Sequence, residues 1–292
     1  MPPSPYIGRF APSPTGLLHL GSLLTAVASY CDARASQGKW LVRIEDIDPL
    51  REVAGASSAI LNTLEGFGLY WDDEVIFQSQ RLSLYQDTID TLLRQGRLFY
   101  CTCSRKQLIG HVIYPGTCRP QKRPPEGIAW ALKAEVPHRE YSFIDPLQGR
   151  FGLRFGEDAG DFVIQRKEGF IAYHLAVVLD DAAQNITHIV RGADLLDSTP
   201  YHLLLQDWLQ LPTPHYMHLP VITNTFGQKL SKQTGAMALS TQQRSQQLVA
   251  VLAWLGQNPE AGLAQEPVSE VLAWAVAHWQ SKNIPHHPTL AR

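Results

Sequence analysis

Apolar positions change period twice within the first fifty residues. The run YIGRFA, residues 6–11, has strand character and is closed by the turn-forming PSPTG. Leu23, Ala26, Val27, Tyr30 and Cys31 then recur at the i, i+3, i+4, i+7, i+8 spacing of one helical face. Gly38 is expected to end that helix, and KWLVRIE beyond it is a second strand. Strand, helix and strand at this spacing predict a βαβ unit, and so an α/β fold with a Rossmann-like parallel sheet. Further helices are expected over residues 54–67 and 81–95. Between Ile128 and Asp181 the pattern breaks into short strands punctuated by Gly and Asp-Pro, which predicts an inserted strand-rich module. ITHIVRGADLLDSTPYHLLLQDWL then returns to strand-then-helix. Two helical stripes follow. One is Leu248, Val251, Leu252 and Leu255, with Gly256 at its C′ position; the other is Val268, Val271, Leu272, Ala275, Val276 and Trp279, starting after Pro267.

These shifts divide the chain into a core of residues 1–98 and 186–240, an insertion over 99–185, and a short helical region over 241–292. At 292 residues the chain is long enough for this arrangement and for a substantial core. Its 45% hydrophobic and 18% charged content is that of an ordinary globular protein. A formal net charge of −2 excludes a global basic field, so any contact with nucleic acid must come from a local patch. No apolar run approaches the roughly 20 residues of a membrane span. MPPSPYIGRF lacks the basic and apolar regions of a signal peptide. The expectation is a cytoplasmic protein, without membrane contact and monomeric.

The stretch GRFAPSPTGLLHLGS, residues 8–22, places a rigid Gly- and Pro-rich turn before the first helix. Unpaired N–H groups and the helix dipole make such a start suitable for an anion. His19 and Ser22, three apart, share a face there, and Arg9 and Ser13 lie just before, at the carboxyl end of the first strand. On spacing alone, a tight turn capped by a Ser explains the stretch equally well. A second stretch, FGQKLSKQTG at 226–235, sets Lys229 and Lys232 three apart on a Gly-flanked loop, and such lysines can neutralise charge on a polyphosphate.

Five segments in order then carry a specific resemblance. RFAPSPTGLLHLGS resembles the HIGH signature of class I aminoacyl-tRNA synthetases in its glutamyl-tRNA synthetase form, and KLSKQ resembles their KMSKS loop. LVRIEDIDPLR, DFVIQRKEGFIAYHLAVVLDD and HIVRGADLLDSTPYH resemble three further blocks of that family. The resemblance implies ATP-dependent activation of L-glutamate to glutamyl-adenylate, with Mg²⁺ accompanying ATP. It assigns His19, Gly21 and Lys232 to ATP, Lys229 and Lys232 to the transition state, and Arg9, Ser13, Glu45, Tyr173 and Arg191 to glutamate. Two arginines suit two carboxylates, and Glu45 suits the ammonium. Arg9 and Tyr173 are expected on the side-chain carboxylate, with the division of the two carboxylates between the arginines left open. Ser22 and Gln233 stand where the signatures carry His and Ser, so neither is assigned a catalytic role.

Cys101, Cys103 and Cys118 lie close together in CTCSRKQLIGHVIYPGTC, a set that suits one structural zinc ion. Ligand chemistry alone favours His111 as the fourth ligand. The resemblance to glutamyl-queuosine and related glutamyl synthetases instead implies Tyr114, four residues before the last cysteine. Arg105, Lys106, Arg119, Lys122 and Arg123 crowd this segment and could meet an RNA backbone or simply face solvent. Cys31, on an apolar stripe, is expected to be a core thiol.

The stretch after Gln233 is long enough only for a small helical bundle, where glutamyl-tRNA synthetases continue into an anticodon-binding portion. Within the family this matches the glutamyl-queuosine branch. It implies transfer of glutamate to the queuosine base of tRNA(Asp), with ATP, L-glutamate and that tRNA as partners. A paralogue charging another acceptor, or a non-catalytic RNA-binding relic of the fold, remain as alternatives.

Overall fold

The computed structural model describes residues 5–223 and 239–291. The opening βαβ unit forms as the pattern predicts. β1 (Ile7–Phe10) and β2 (Lys39–Ile44) pair in parallel, with Ile7 opposite Lys39, and α1 (Leu20–Ala35) crosses between them. The helix begins three residues ahead of its apolar stripe because His19 caps it. His19 Nδ1 accepts from the N–H groups of Gly21 and Ser22 at 3.1 and 3.3 Å. It ends at Ala35, short of Gly38, with Gln37 turning the chain at φ 54°. Gly38 serves the strand instead, since a Cβ there would collide with the Tyr6 carbonyl.

After α2 (Ala56–Gly66), β3 (Ile76–Phe77) adds in parallel to β2, and α3 (Leu82–Arg94) follows. On the other edge of β1, the Thr187 N–H donates to the Ile7 carbonyl at 2.9 Å. That bond brings in β9 (His188–Gly192), which pairs in parallel with β10 (His215–Leu219). The parallel pair β9 and β10 thus lies against β1, beside the parallel set β1, β2 and β3. α6 (Arg244–Trp254) and α7 (Val268–His278) pack with α1 over this sheet. Leu23, Val27, Trp40, Leu252 and Val271 are fully buried there. Each such side chain contributes on the order of 1.5–3 kcal/mol. Cys31 is among them, and Gly256 follows α6 at φ 70° as a C′ residue. β11 (Val221–Thr223) pairs in parallel with β12 (Thr289–Ala291).

Between the halves of the parallel sheet, β4 (Leu98–Cys101), β5 (Ala131–Ala134) and β8 (Val163–Gln165) form an antiparallel sheet. β6 (Glu140–Asp145) and β7 (Gly149–Arg154) form a hairpin. One part of this stretch departs from expectation: residues 173–183 are helical, not extended, and form α4 (Tyr173–Ala183). Leu175 through Leu179 are all buried, so packing on every side overrides the strand preference of Val177 and Val178. α3, α4, α5 (Thr199–Leu209) and the antiparallel sheet enclose a second core that includes Tyr85, Ile89, Leu132, Phe155, Leu175 and Leu204.

Candidate active site

At the carboxyl ends of β1, β2 and β9 lies a cleft of about 720 Å³. Arg9, Ser13, His19, Gly21, Glu45, Tyr173 and Arg191 all line it, although they come from segments far apart in sequence. Ser22 lines it too. Lys229 and Lys232 lie outside the described residues.

Several polar groups in the cleft are held by buried partners. Because His19 Nδ1 accepts the two capping N–H groups, the neutral ring carries its hydrogen on Nε2, which makes that atom a donor. Thus a histidine, not a serine, caps the helix. Arg9, 3% exposed, is tethered by Asp181, whose carboxylate accepts from Nε at 3.1 Å and Nη2 at 3.5 Å. Asp181 also accepts from Arg43 Nη2 at 2.8 Å, and Arg43 is fully buried. Burial works against the Asp181 carboxylate, but the Arg9 and Arg43 charges outweigh it and hold its pKa below the ordinary value. Burial pushes the Glu45 carboxyl up, against the pull of Arg43 and Arg9. The Glu45 N–H donates to the Pro12 carbonyl at 3.0 Å, locking β2 to the turn.

Arg191 is spanned on both sides. Its Nε donates to His218 Nε2 at 3.1 Å, and Nη2 donates to Thr199 Oγ1 at 2.7 Å and the Leu195 carbonyl at 3.3 Å. Nη1 makes two longer contacts, 3.5 Å to the Tyr173 hydroxyl and 3.3 Å to His202 Nδ1. An arginine only donates, so both histidines must accept on those atoms. The other nitrogens then face onward: His218 Nδ1 donates to Asp145 at 2.8 Å, and His202 Nε2 donates to His174 Nδ1 at 3.2 Å. Burial lowers all three histidine pKa values, that of His174 to about 4, so the chain is neutral. Asp181, Arg43, Asp145, His202 and His218 are not in the sequence-derived set. Their one visible signal is an acidic or basic residue inside an apolar run.

Asp180 and Asp181 also form a seam. Asp180, fully buried, accepts from Gln78, Arg81 and Tyr85 at 2.7, 2.6 and 2.7 Å, next to α3. Its neighbour in α4 faces the arginines of β1 and β2.

The cysteine segment closes into a compact site. The sulfurs of Cys101, Cys103 and Cys118 lie within 4.8 Å of one another. The Tyr114 hydroxyl is 3.5 Å from Cys101 Sγ and 3.6 Å from Cys103 Sγ, and it accepts the Cys118 N–H at 2.9 Å. His111 is exposed, whereas Tyr114 is buried among the thiols. Burial opposes ionisation of Cys118, yet the Tyr114 hydroxyl and the Thr102 backbone bring its thiol down to about 6. Three converging sulfurs and one oxygen fit a tetrahedral soft-metal site. Among the nearby basic residues, Arg119 is tied to Asp161 by two bonds of 2.7 and 2.9 Å and Lys122 to Glu135, while Arg105, Lys106 and Arg123 are exposed.

The family described as tRNA synthetases class I (E and Q), catalytic domain, matches residues 7–112 and 118–265. The chain belongs to that family of ligases, and within it to the glutamyl-Q tRNA(Asp) synthetase group. The glutamyl-Q tRNA(Asp) synthetase of Pseudomonas aeruginosa is 54% identical over 288 residues, covering 98% of each chain. That of Neisseria meningitidis is 52% identical over 291 residues, covering 97% of this chain and 98% of that one. Among solved structures, a glutamate tRNA ligase from Elizabethkingia meningosepticum shares the fold with a TM-score of 0.81 at 23% identity. That match covers 97% of this chain and 66% of the other. The glutamate-tRNA synthetase of Elizabethkingia anophelis gives 0.82 at 23% identity, covering 99% and 68%. Among the described residues no helix is long and apolar enough to cross a membrane.

Proposed function

We propose that the protein activates L-glutamate with ATP and transfers it to the queuosine base in the anticodon loop of tRNA(Asp). The observation that carries this reading is one cleft that gathers two buried arginines, a buried glutamate, a tyrosine and a helix start capped by histidine. The names of the relatives in Pseudomonas and Neisseria support the acceptor.

In the first step a glutamate α-carboxylate oxygen attacks the α-phosphorus of ATP, and pyrophosphate leaves. Positioning and charge stabilisation carry such a step. The His19 Nε2–H donates to phosphate oxygens, and Gly21, without a side chain, lets the nucleotide approach the first turn of α1. Lys229 and Lys232 neutralise charge on the phosphates. Mg²⁺, bound with ATP, adds to that neutralisation. Arg9 is the direct partner of the side-chain carboxylate: Asp181 holds Nε and Nη2, and Nη1 has no hydrogen bond to any described residue. Arg191 is engaged through all three nitrogens, so it reaches a carboxylate only through Nη1, whose contacts are long. Tyr173 and Ser13 complete the pocket, and Glu45 takes the ammonium.

In the second step a cyclopentenediol hydroxyl attacks the adenylate carbonyl carbon. The bond to the bridging oxygen breaks, AMP leaves, its phosphate takes the hydroxyl proton, and an ester remains. Cys101, Cys103, Tyr114 and Cys118 would hold a zinc ion that fixes the loop between β4 and β5. We take residues 1–98 and 186–240 as the catalytic core, 99–185 as the inserted module and 241–292 as its helical support.

The test is labelled glutamate with tRNA(Asp) prepared with and without queuosine, and with tRNA(Glu). Queuosine-dependent label recovered on the anticodon fragment after ribonuclease digestion is the expected result. Dominant 3′ esterification of tRNA(Glu) overturns it.

A further inference from the structure

Beside the main cleft lies a second cavity of about 310 Å³, which shares Ser13, Glu45 and Tyr173 as a common wall. Two of its lining residues carry buried acceptors with no hydrogen bond from any described residue: Gln78 Oε1 and Asp48 Oδ1. Gln78 is fully buried, and its amide is oriented by the 2.7 Å bond from Nε2 to Asp180, so the oxygen is fixed as the free end. Asp48 is held from its other oxygen, where Arg51 Nε donates at 2.6 Å and Arg166 Nη1 at 3.0 Å. An unmet buried acceptor costs roughly 1–3 kcal/mol. Two of them beside one cavity call for an occupant rich in donors.

The charge around the cavity gives the sign of that occupant. Glu45, Asp48 and Glu52 outnumber Arg51 and Arg166 among its lining residues. Burial raises the Glu52 carboxyl pKa and the Asp46 and Asp48 charges raise it further, whereas at Asp48 burial is outweighed by Arg51 and Arg166, which hold its pKa below the ordinary value and keep it ionised. Phe162 and Ile171 supply an apolar wall. A small ring bearing hydroxyls and a cationic amine meets all three conditions.

We propose that this cavity binds the side arm of the acceptor base, an aminomethyl cation joined to a cyclopentene diol, with Asp48 and Gln78 as its specificity-determining residues. The inference rests on the acceptor assigned above. The shared wall then lets a diol hydroxyl face the adenylate carbonyl across Glu45 and Tyr173.

The experiment compares wild-type protein with Asp48→Asn and with Ala172→Leu, which fills the cavity from its wall without touching a charge. Three anticodon stem-loops serve as probes, carrying queuosine, the 7-aminomethyl base that has the amine but lacks the diol, or guanine. Glutamate-dependent pyrophosphate exchange and glutamyl transfer are read separately. For wild type, the aminomethyl stem-loop is expected to inhibit transfer at least tenfold more tightly than the guanine one. Asp48→Asn should erase that preference, and both variants should lower kcat/KM for transfer at least tenfold. An unchanged preference in Asp48→Asn overturns the proposal. So does a rise in the glutamate KM of exchange in place of a transfer defect, since the cavity would then hold the amino acid. Wild-type protein that never labels the queuosine stem-loop overturns the acceptor assignment itself, and this inference with it.

Discussion

Replacing Asp181 with Asn removes one negative charge from between two buried arginines while keeping the side-chain volume. The carboxylate accepts three bonds, 3.1 and 3.5 Å from Arg9 and 2.8 Å from Arg43, and all three residues are at most 4% exposed at the side chain. Breaking a buried ion pair from one side costs about 3–5 kcal/mol, because the partner charges stay buried. Arg43 keeps Glu45 at 3.4 Å and Asp180 at 3.9 Å, so the lower end applies. At about 2 °C per kcal/mol for a chain of this size, Tm should drop by roughly 6 °C. The pH dependence has a definite sign. The folded pKa of Asp181 lies below the ordinary 3.8, so its stabilisation is present above that value and is lost as pH falls through the folded pKa. The variant should therefore lose less stability than wild type between about pH 4 and pH 2. Arg9, no longer tethered, should raise the glutamate KM in pyrophosphate exchange about tenfold or more, with the ATP KM changed by less than about twofold. A Tm within about 1 °C of wild type, together with an unchanged glutamate KM, would refute the reasoning.

Three further outcomes are expected. His19→Asn keeps an N-capping acceptor and should hold Tm, whereas His19→Ala should lose about 1 kcal/mol of helix stability. Both should slow pyrophosphate exchange about 10²-fold, and exchange near the wild-type rate in His19→Asn would refute the donor role. Metal analysis should find zinc retained in His111→Ala and lost in Cys118→Ser and Tyr114→Phe; loss in the histidine variant reverses the ligand choice. The depressed pKa values of His174, His202 and His218 mean stabilisation that is complete above the ordinary 6.5 and falls as pH drops toward about 4. Thermal melts across that range should show the decline, and His174→Phe should flatten it.

The first βαβ unit was legible because its elements are local: one apolar stripe, one strand period and one turn suffice. The cleft residues were legible because Arg9, His19, Glu45, Tyr173 and Arg191 sit in recognisable blocks. The groups that aim them were not. Asp181 sits in an apolar run, and its partners lie more than a hundred residues away on β1 and β2, so only the packed fold gives it meaning. The same holds for Asp145, which meets His218 across 73 residues. α4 was misread for a related reason. A helix buried on all sides has no polar face, and its periodicity is then as weak as that of a buried strand.

The adjoining aspartates of α4 bear on how this protein could be re-engineered. Through one dipeptide, the arginines beneath the amino-acid cleft and the Gln78–Tyr85 segment beside the inserted module are bolted to the same two consecutive residues. A transplant from a relative of the antiparallel sheet alone, cut near residues 98 and 165 and not at the module's end near 185, would leave that joint wholly in the recipient. A cut that also carries α4 would split it, stranding Arg9 and Arg43 against foreign partners. The seam sets where chimaeras can be joined: the helix must travel with the recipient's first two strands.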